Sequence, residues 1–245
     1  MKMKCITALL SLFFLAASAS AQTPSKQHYL DLYKRALKYN DTRTAITALN
    51  GYLTLGDDMA YKDTLGYIYY LAGDYYSSLL LTKEVTDADG NNVQALERLA
   101  SCYNQLGDLK QTVDNYEKLV PKTKNPYHYY QLAVAQFQLK RIAECAQNLQ
   151  RAIADTSSKK LPVAFTVSEG QVQNVPVMAA AYNMMGVIQM EAKNYADARK
   201  LISKAIEVYP DFVGAQQNLK ALDNLSKGGG AAPKGGAGAK PKGKG

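Results

Sequence analysis

Imidazoles, thiols and clustered carboxylates are the groups that could do chemistry, and this sequence offers few of them in useful arrangements. Its two histidines are His28 and His128, the latter set among tyrosines in Tyr127-His128-Tyr129-Tyr130. An imidazole there could exchange protons near neutral pH, but the position is expected to be a polar residue in the first turn of a helix. Cys5, Cys102 and Cys145 form no Cys-x-x-Cys pair, and no His-Glu-x-x-His, Gly-x-Ser-x-Gly or metal-spaced Cys/His cluster occurs. Gly238, Gly243 and Lys244 nearly spell a phosphate loop, yet Gly245 stands where Ser or Thr is required. The expectation is no catalytic residue, no metal and no cofactor, so that function must lie in a surface.

The chain has 245 residues, 47% hydrophobic and 20% charged, the composition of an ordinary globular protein. Its net charge of +8 sits at the ends: Lys2 and Lys4 open the chain, five lysines follow Ser226, and the remainder carries 22 basic against 21 acidic residues. A uniformly basic binding face is therefore excluded, and any polyanion contact belongs to the tail. That tail, residues 227–245, holds eight glycines, five lysines and no acid, and is expected to be disordered.

At the other end, the two lysines, a largely apolar run from Ile6 to Ala17 and the small residues Ala19-Ser20-Ala21 read as a signal peptide over 1–21. Twelve helical residues reach about 18 Å, short of a hydrocarbon core of roughly 30 Å, so no membrane insertion is expected after cleavage. The mature chain is expected to be exported, periplasmic or secreted. Its remaining cysteines, Cys102 and Cys145, fall on inward-facing positions and are expected to be buried thiols rather than a disulfide.

Between the two ends the sequence repeats itself. Leu65, Gly66, Tyr69, Gly73 and Asp74 are followed after 34 residues by Leu99, Ala100, Tyr103, Gly107 and Asp108. The frame extends upstream to Tyr29, Leu32, Tyr33 and Ala36 with Ala45, Leu49 and Tyr52. Downstream it reaches Tyr129, Leu132, Ala133 and Gln136 with Cys145, Leu149 and Ala152, then Tyr182, Met185, Gly186 and Gln189 with Ala198, Ile202, Ala205 and Pro210. Apolar residues at i, i+3, i+4 and i+7 make a stripe on a first helix, and a second amphipathic helix follows a short turn such as Leu106-Gly107-Asp108. One such pair cannot bury both of its faces, whereas stacked pairs can, and the last pair needs a cap. Asp211 to Leu225, with Phe212, Ala215, Leu219 and Leu222, is expected to be that capping helix, started by Asp211.

The pattern resembles the tetratricopeptide repeat (TPR), which asks for an aromatic, Leu-Gly, an aromatic, then Ala, an aromatic or aliphatic, Ala and a closing Pro at these offsets. About five copies span Ser25 to Pro210. No copy has the family's Trp, glutamines stand at 136 and 189 where an aromatic is usual, and Tyr33 replaces a small residue. The resemblance implies an all-α α-solenoid of stacked helix-turn-helix units over residues 22–226. The fourth link is longer by roughly half a repeat, and this surplus, residues 155–177, contains alternating Val163, Phe165 and Val167, a turn at Glu169-Gly170, and Val172 and Val175. It is expected to be a β-hairpin leaning on the helices.

In the resembled family a second stripe on the first helices lines a concave groove. Here that stripe carries Leu30, Lys34, Leu37 and Lys38 in the first copy, Asp63, Tyr67, Tyr70 and Leu71 in the second, Glu97, Ser101, Asn104 and Gln105 in the third, Tyr127, Tyr130, Val134 and Phe137 in the fourth, and Asn183, Val187 and Met190 in the fifth. Tyr67, Tyr70, Asn104, Tyr130, Phe137 and Asn183 become the candidate residues for binding another protein or peptide. A second possibility is that the hairpin folds in and covers part of the stripe, making its tyrosines core. The alternative function is envelope or nucleic-acid polymer binding through the basic tail, and a minor third is an enzyme with its site in the insertion.

Overall fold

The computed structural model describes residues 24–168 and 170–227. The expected signal peptide, residues 228–245 of the expected tail, and Glu169 of the expected turn lie outside the described residues. The chain divides into two compact units at Asp57/Asp58.

The first unit is one helix pair, α1 (Lys26–Lys38) and α2 (Thr42–Thr54). Ser25 and Asp41 begin the two helices, their side chains accepting from the backbone N–H of His28 and Thr44, which satisfies donors that a helix start leaves without partners. Ala36, Ala45, Ala48 and Leu49 are buried, and the Tyr29 ring lies so close over Gly51 that a Cβ there would come within 2.2 Å of it.

The second unit holds four helix pairs and a closing helix. The pairs are α3 (Met59–Leu71) with α4 (Tyr75–Ala88), α5 (Val93–Leu106) with α6 (Leu109–Thr123), α7 (Pro126–Gln138) with α8 (Ile142–Ala154), and α9 (Val177–Glu191) with α10 (Tyr195–Val208); α11 (Val213–Lys227) closes the series. Each helix packs on its neighbours in sequence from α3 to α11, the all-α stack of an α-solenoid. Asp74 and Asp108 start the second helices of their pairs by accepting from Ser77 and Gln111 N–H, each at 3.0 Å.

The turn inside each pair is made the same way throughout. Gly73 and Gly107 take left-handed backbone at φ 81° and 82°, and Asn40, Lys140 and Lys193 do so at 53°, 61° and 62°. Only two of the five are glycine, so the conformation repeats more faithfully than the residue that favours it.

Small residues set the helix spacing. A Cβ added at Gly186 would lie 2.5 Å from Ile202 Cγ1 and 3.2 Å from the Ala198 carbonyl, and one at Gly66 would lie 3.1 Å from Thr82 Oγ1. Polar side chains buried by this close approach are paired. Ser78 donates to the Gly66 carbonyl at 2.8 Å and Cys102 Sγ to Ser78 Oγ at 3.3 Å. Arg98 is buried between Thr82, whose hydroxyl accepts from Nε at 2.8 Å, and the Asp63 carboxylate. Gln136, standing where the family has an aromatic, is buried and accepts from Asn148 at 2.8 Å, a polar bond in place of ring packing. Cys102 and Cys145 are buried free thiols, and burial pushes the Cys145 thiol up to about 12.

The insertion leaves α8, makes a short 3-10 turn at Thr156–Lys159, and forms an antiparallel hairpin of β1 (Pro162–Ser168) and β2 (Gln171–Pro176) before α9 resumes the stack. Val163 and Val175 join the core, and Phe165 stacks edge-on against Phe212 at 5.1 Å between ring centroids. This contact moves the start of the capping helix from the expected Asp211 to Val213. Phe212 is fully buried and its carbonyl accepts from Gln216 N–H, while the Val213 N–H donates to Gln173 Oε1 of β2. The hairpin thus supplies the cap acceptor that Asp211 was expected to provide, and Gln173 Nε2 donates in turn to the Asp211 carbonyl.

Gly186→Leu should lower stability by about 1 to 3 kcal/mol, because a large side chain has to be placed where the backbones nearly touch. Chemical denaturation followed by circular dichroism checks this, and an unchanged midpoint would mean that α9 and α10 are spaced differently.

Candidate functional site

The second unit contains a groove of about 600 Å³ whose floor and one wall are helical and whose other wall is the hairpin. From α3 comes Tyr70; from α5, Ser101, Asn104 and Gln105; from α6, Tyr116; from α7, Tyr127, Tyr130, Gln131, Val134 and Gln138. The α7 residues Tyr127, Gln131, Val134 and Gln138 follow i, i+4, i+7, i+11, which places them on one helix face. Four consecutive residues of β1, Val163 to Thr166, face them, together with Val172 of β2. No Asp, Glu, Lys, Arg or His is among these lining residues, so the groove is neutral, with aromatic faces, amides and hydroxyls.

Of the six residues expected to line a binding stripe, three do so. Tyr70 and Asn104 are partly exposed in the groove, and Tyr130 lines it from beneath at 5% exposure. Tyr67 stands outside it, half exposed, with the Arg98 guanidinium 6.0 Å above its ring. Phe137 is buried in the core. Asn183 is also buried and accepts from Asn218 at 2.9 Å, a tie between α9 and α11 rather than a groove residue. No residue of α9 lines the groove.

Burial holds the groove phenols protonated. The Tyr70, Tyr116, Tyr127 and Tyr130 hydroxyls are all pushed above the ordinary tyrosine value by desolvation, with the Ser101 side chain pulling the other way at Tyr70 and Tyr116. They act as neutral donors and acceptors at every physiological pH.

The groove also takes residues from outside the stripe, among them Tyr116, Gln131, Gln138, Ala164 and Thr166. Gln131 and Gln138 were legible from the helical spacing on α7. Tyr116 comes from a second helix, and Ala164 and Thr166 reach the groove only through the tertiary placement of the hairpin.

His128 supports the groove from behind. It sits in the first turn of α7, as the sequence suggested, but is buried, with Nδ1 2.9 Å from Thr123 Oγ1 and Nε2 3.3 Å from Glu97 Oε1. Its ring lies 5.9 Å from Tyr127 and 6.3 Å from Tyr116. The hydrogen bond from His128 lowers the Glu97 carboxyl below its ordinary value of 4.5, against desolvation. A lowered carboxyl stabilises the fold above the ordinary carboxylate range and loses that contribution as pH falls through the lowered value. Glu97→Gln should therefore flatten the acid side of a melting temperature against pH profile, and a profile as steep as that of the unaltered chain would dissociate Glu97 from acid unfolding.

Tetratricopeptide repeat models match residues 179–212, covering α9 and α10, and residues 94–120, covering most of α5 and α6. No curated protein sequence matches the chain. Among solved structures, YrrB, described as a TPR protein with an unusual peptide-binding site, is similar with a TM-score of 0.64 at 14% identity, over 83% of this chain and 96% of its own. A tetratricopeptide repeat protein from Parabacteroides merdae is similar with a TM-score of 0.62 at 14% identity, over 82% and 73%. MamA from Desulfovibrio magneticus gives a TM-score of 0.60 at 14% identity, over 77% and 97%. These likenesses are of fold; the two matched segments are tetratricopeptide repeats, and the helix pairs with their left-handed turns carry the same arrangement through the described residues.

Proposed function

We propose that the chain is an exported, non-catalytic scaffold whose groove between α3, α5, α7 and the hairpin receives a segment of another protein. The observation that carries this reading is the groove itself: aromatic faces and amides gathered from several helices, without a charged residue among them. Aromatic anchors in a partly enclosed site supply much of the energy of protein recognition. The peptide-binding site described for YrrB supports the same use of the fold. Export rests on the amino-terminal sequence pattern, and the absence of catalysis on the lack of a recognised catalytic motif.

A second contact, with a polyanion through the carboxy-terminal lysines, is favoured by their number and by the lack of acid around them. It would add affinity without sequence specificity.

Tyr70→Ala combined with Gln131→Ala should weaken capture of the partner by at least about 2 kcal/mol, ~30-fold, with little change in melting temperature. Pull-down from the native compartment with both forms checks this; equal capture would remove the groove as the site. Deleting residues 228 to 245 should leave the fold intact, and if the tail binds polyanions it should flatten the salt dependence of heparin binding. A deletion that leaves heparin binding unchanged makes the tail a spacer.

A further inference from the structure

The hairpin brings to the groove something that a helical repeat lacks, the free edge of a strand. Among the described residues the sheet has two strands, so β1 is paired there on one side only. Which of its residues face the free side follows from two prolines. Pro162 lies opposite Pro176, and neither has an N–H to give, so this cannot be a pair that exchanges both hydrogen bonds. Antiparallel pairs alternate, which makes Val163↔Val175 and Phe165↔Gln173 the bonded pairs and Ala164↔Asn174 the unbonded one. The Val177 N–H donating to the Leu161 carbonyl at 2.8 Å continues the same alternation just beyond the prolines.

Ala164 and Thr166 therefore turn their N–H and C=O groups away from β2. Among the described residues no backbone hydrogen bond beyond the β1–β2 ladder, and no side chain, meets these groups. Both residues are exposed, and both line the groove. Four consecutive β1 residues face the groove against a single residue of β2, which is how a strand presents its edge rather than one of its faces. Opposite stand the amides of Gln131 and Gln138 and the rings of Tyr70 and Tyr127.

We propose that an extended, uncharged peptide segment binds this groove as a third strand, hydrogen-bonded to the free edge of β1 at Ala164 and Thr166. The inference rests on the groove being the binding site and specifies how it is used. Two donors and two acceptors spaced along the edge fit an extended backbone of about four residues. The neutral lining disfavours a charged side chain, which would lose its water without gaining a partner. Alternate side chains of the segment would face the tyrosines and glutamines of the helices.

The test uses short random peptides panned against the full chain, with a captured uncharged peptide then titrated in solution. Backbone amide exchange at Ala164 and Thr166 should slow when it binds. Ala164→Pro removes one outward N–H without touching the β1–β2 ladder, and should weaken the peptide about tenfold or more, whereas Asn174→Pro, which removes an outward N–H from the other edge of the hairpin, should bind as the unaltered chain does. N-methylation of the peptide at alternate residues should abolish binding in one phase and spare it in the other. A peptide that loses affinity on Tyr70→Ala but leaves both amides unprotected overturns the strand inference alone and keeps the groove. If no peptide is captured, the groove reading falls and the strand with it. A chain that is dimeric in solution and made monomeric by Ala164→Pro also overturns the proposal, since the edge would then belong to a second copy.

Discussion

A pair of antiparallel helices with apolar residues on two faces buries one face between its members and leaves the other to be covered from outside. In the second unit that cover is the next pair, and the requirement passes along the series until α11 ends it. The spacing that makes the cover effective is set where side chains are smallest, at Gly66 against Thr82 and at Gly186 against Ile202 and Ala198. Polar atoms caught in these close approaches are each given a partner, as at Ser78, Arg98 and Gln136. An unpaired one would cost about 1 to 3 kcal/mol.

The hairpin uses the end of that series. It leaves the chain between α8 and α9, yet it is held where α10 gives way to α11, by Phe165 on Phe212 and by Gln173 bonding the Asp211 carbonyl and the Val213 N–H. The anchoring side faces the core; the opposite edge of β1 faces Tyr70, Tyr127 and Gln131. An isolated two-stranded hairpin is marginal in water, so this docking is what gives the groove its second wall. The two expectations for the tyrosine stripe meet here: Tyr130 is nearly completely buried, in the same core as Val163 and Val175 of the hairpin, while Tyr70 and Asn104 stay partly exposed in the groove.

Periodicity made the helix pairs readable because every copy must solve the same packing problem at the same offsets. The left-handed turns were only partly readable, since Asn40, Lys140 and Lys193 take a conformation that glycine marks at 73 and 107. Strand alternation revealed the hairpin, but not its direction of docking. That is decided by Phe212 and Gln173, whose partners Phe165, Asp211 and Val213 all lie 38 or more positions away in the sequence. For the same reason Asn183 and Phe137 were expected on the groove: they satisfy the stripe, but Asn183 bonds to Asn218 of α11 and Phe137 is taken into the core. The role of His128 was legible as a first-turn residue, whereas its contacts with Glu97 and Thr123 belong to the stacking of α5, α6 and α7.

The groove exists only while the hairpin is docked. A chain beginning at Gln22 has only three phenylalanines, Phe137, Phe165 and Phe212, which makes ring-to-ring contacts simple to assign by nuclear magnetic resonance. A nuclear Overhauser effect between the Phe165 and Phe212 rings, with Val163 and Val175 methyls shifted from their random-coil positions, is the result the structure predicts. Sharp random-coil signals from Phe165 and both valines, with no contact to Phe212, would leave the groove without its second wall and contradict the account.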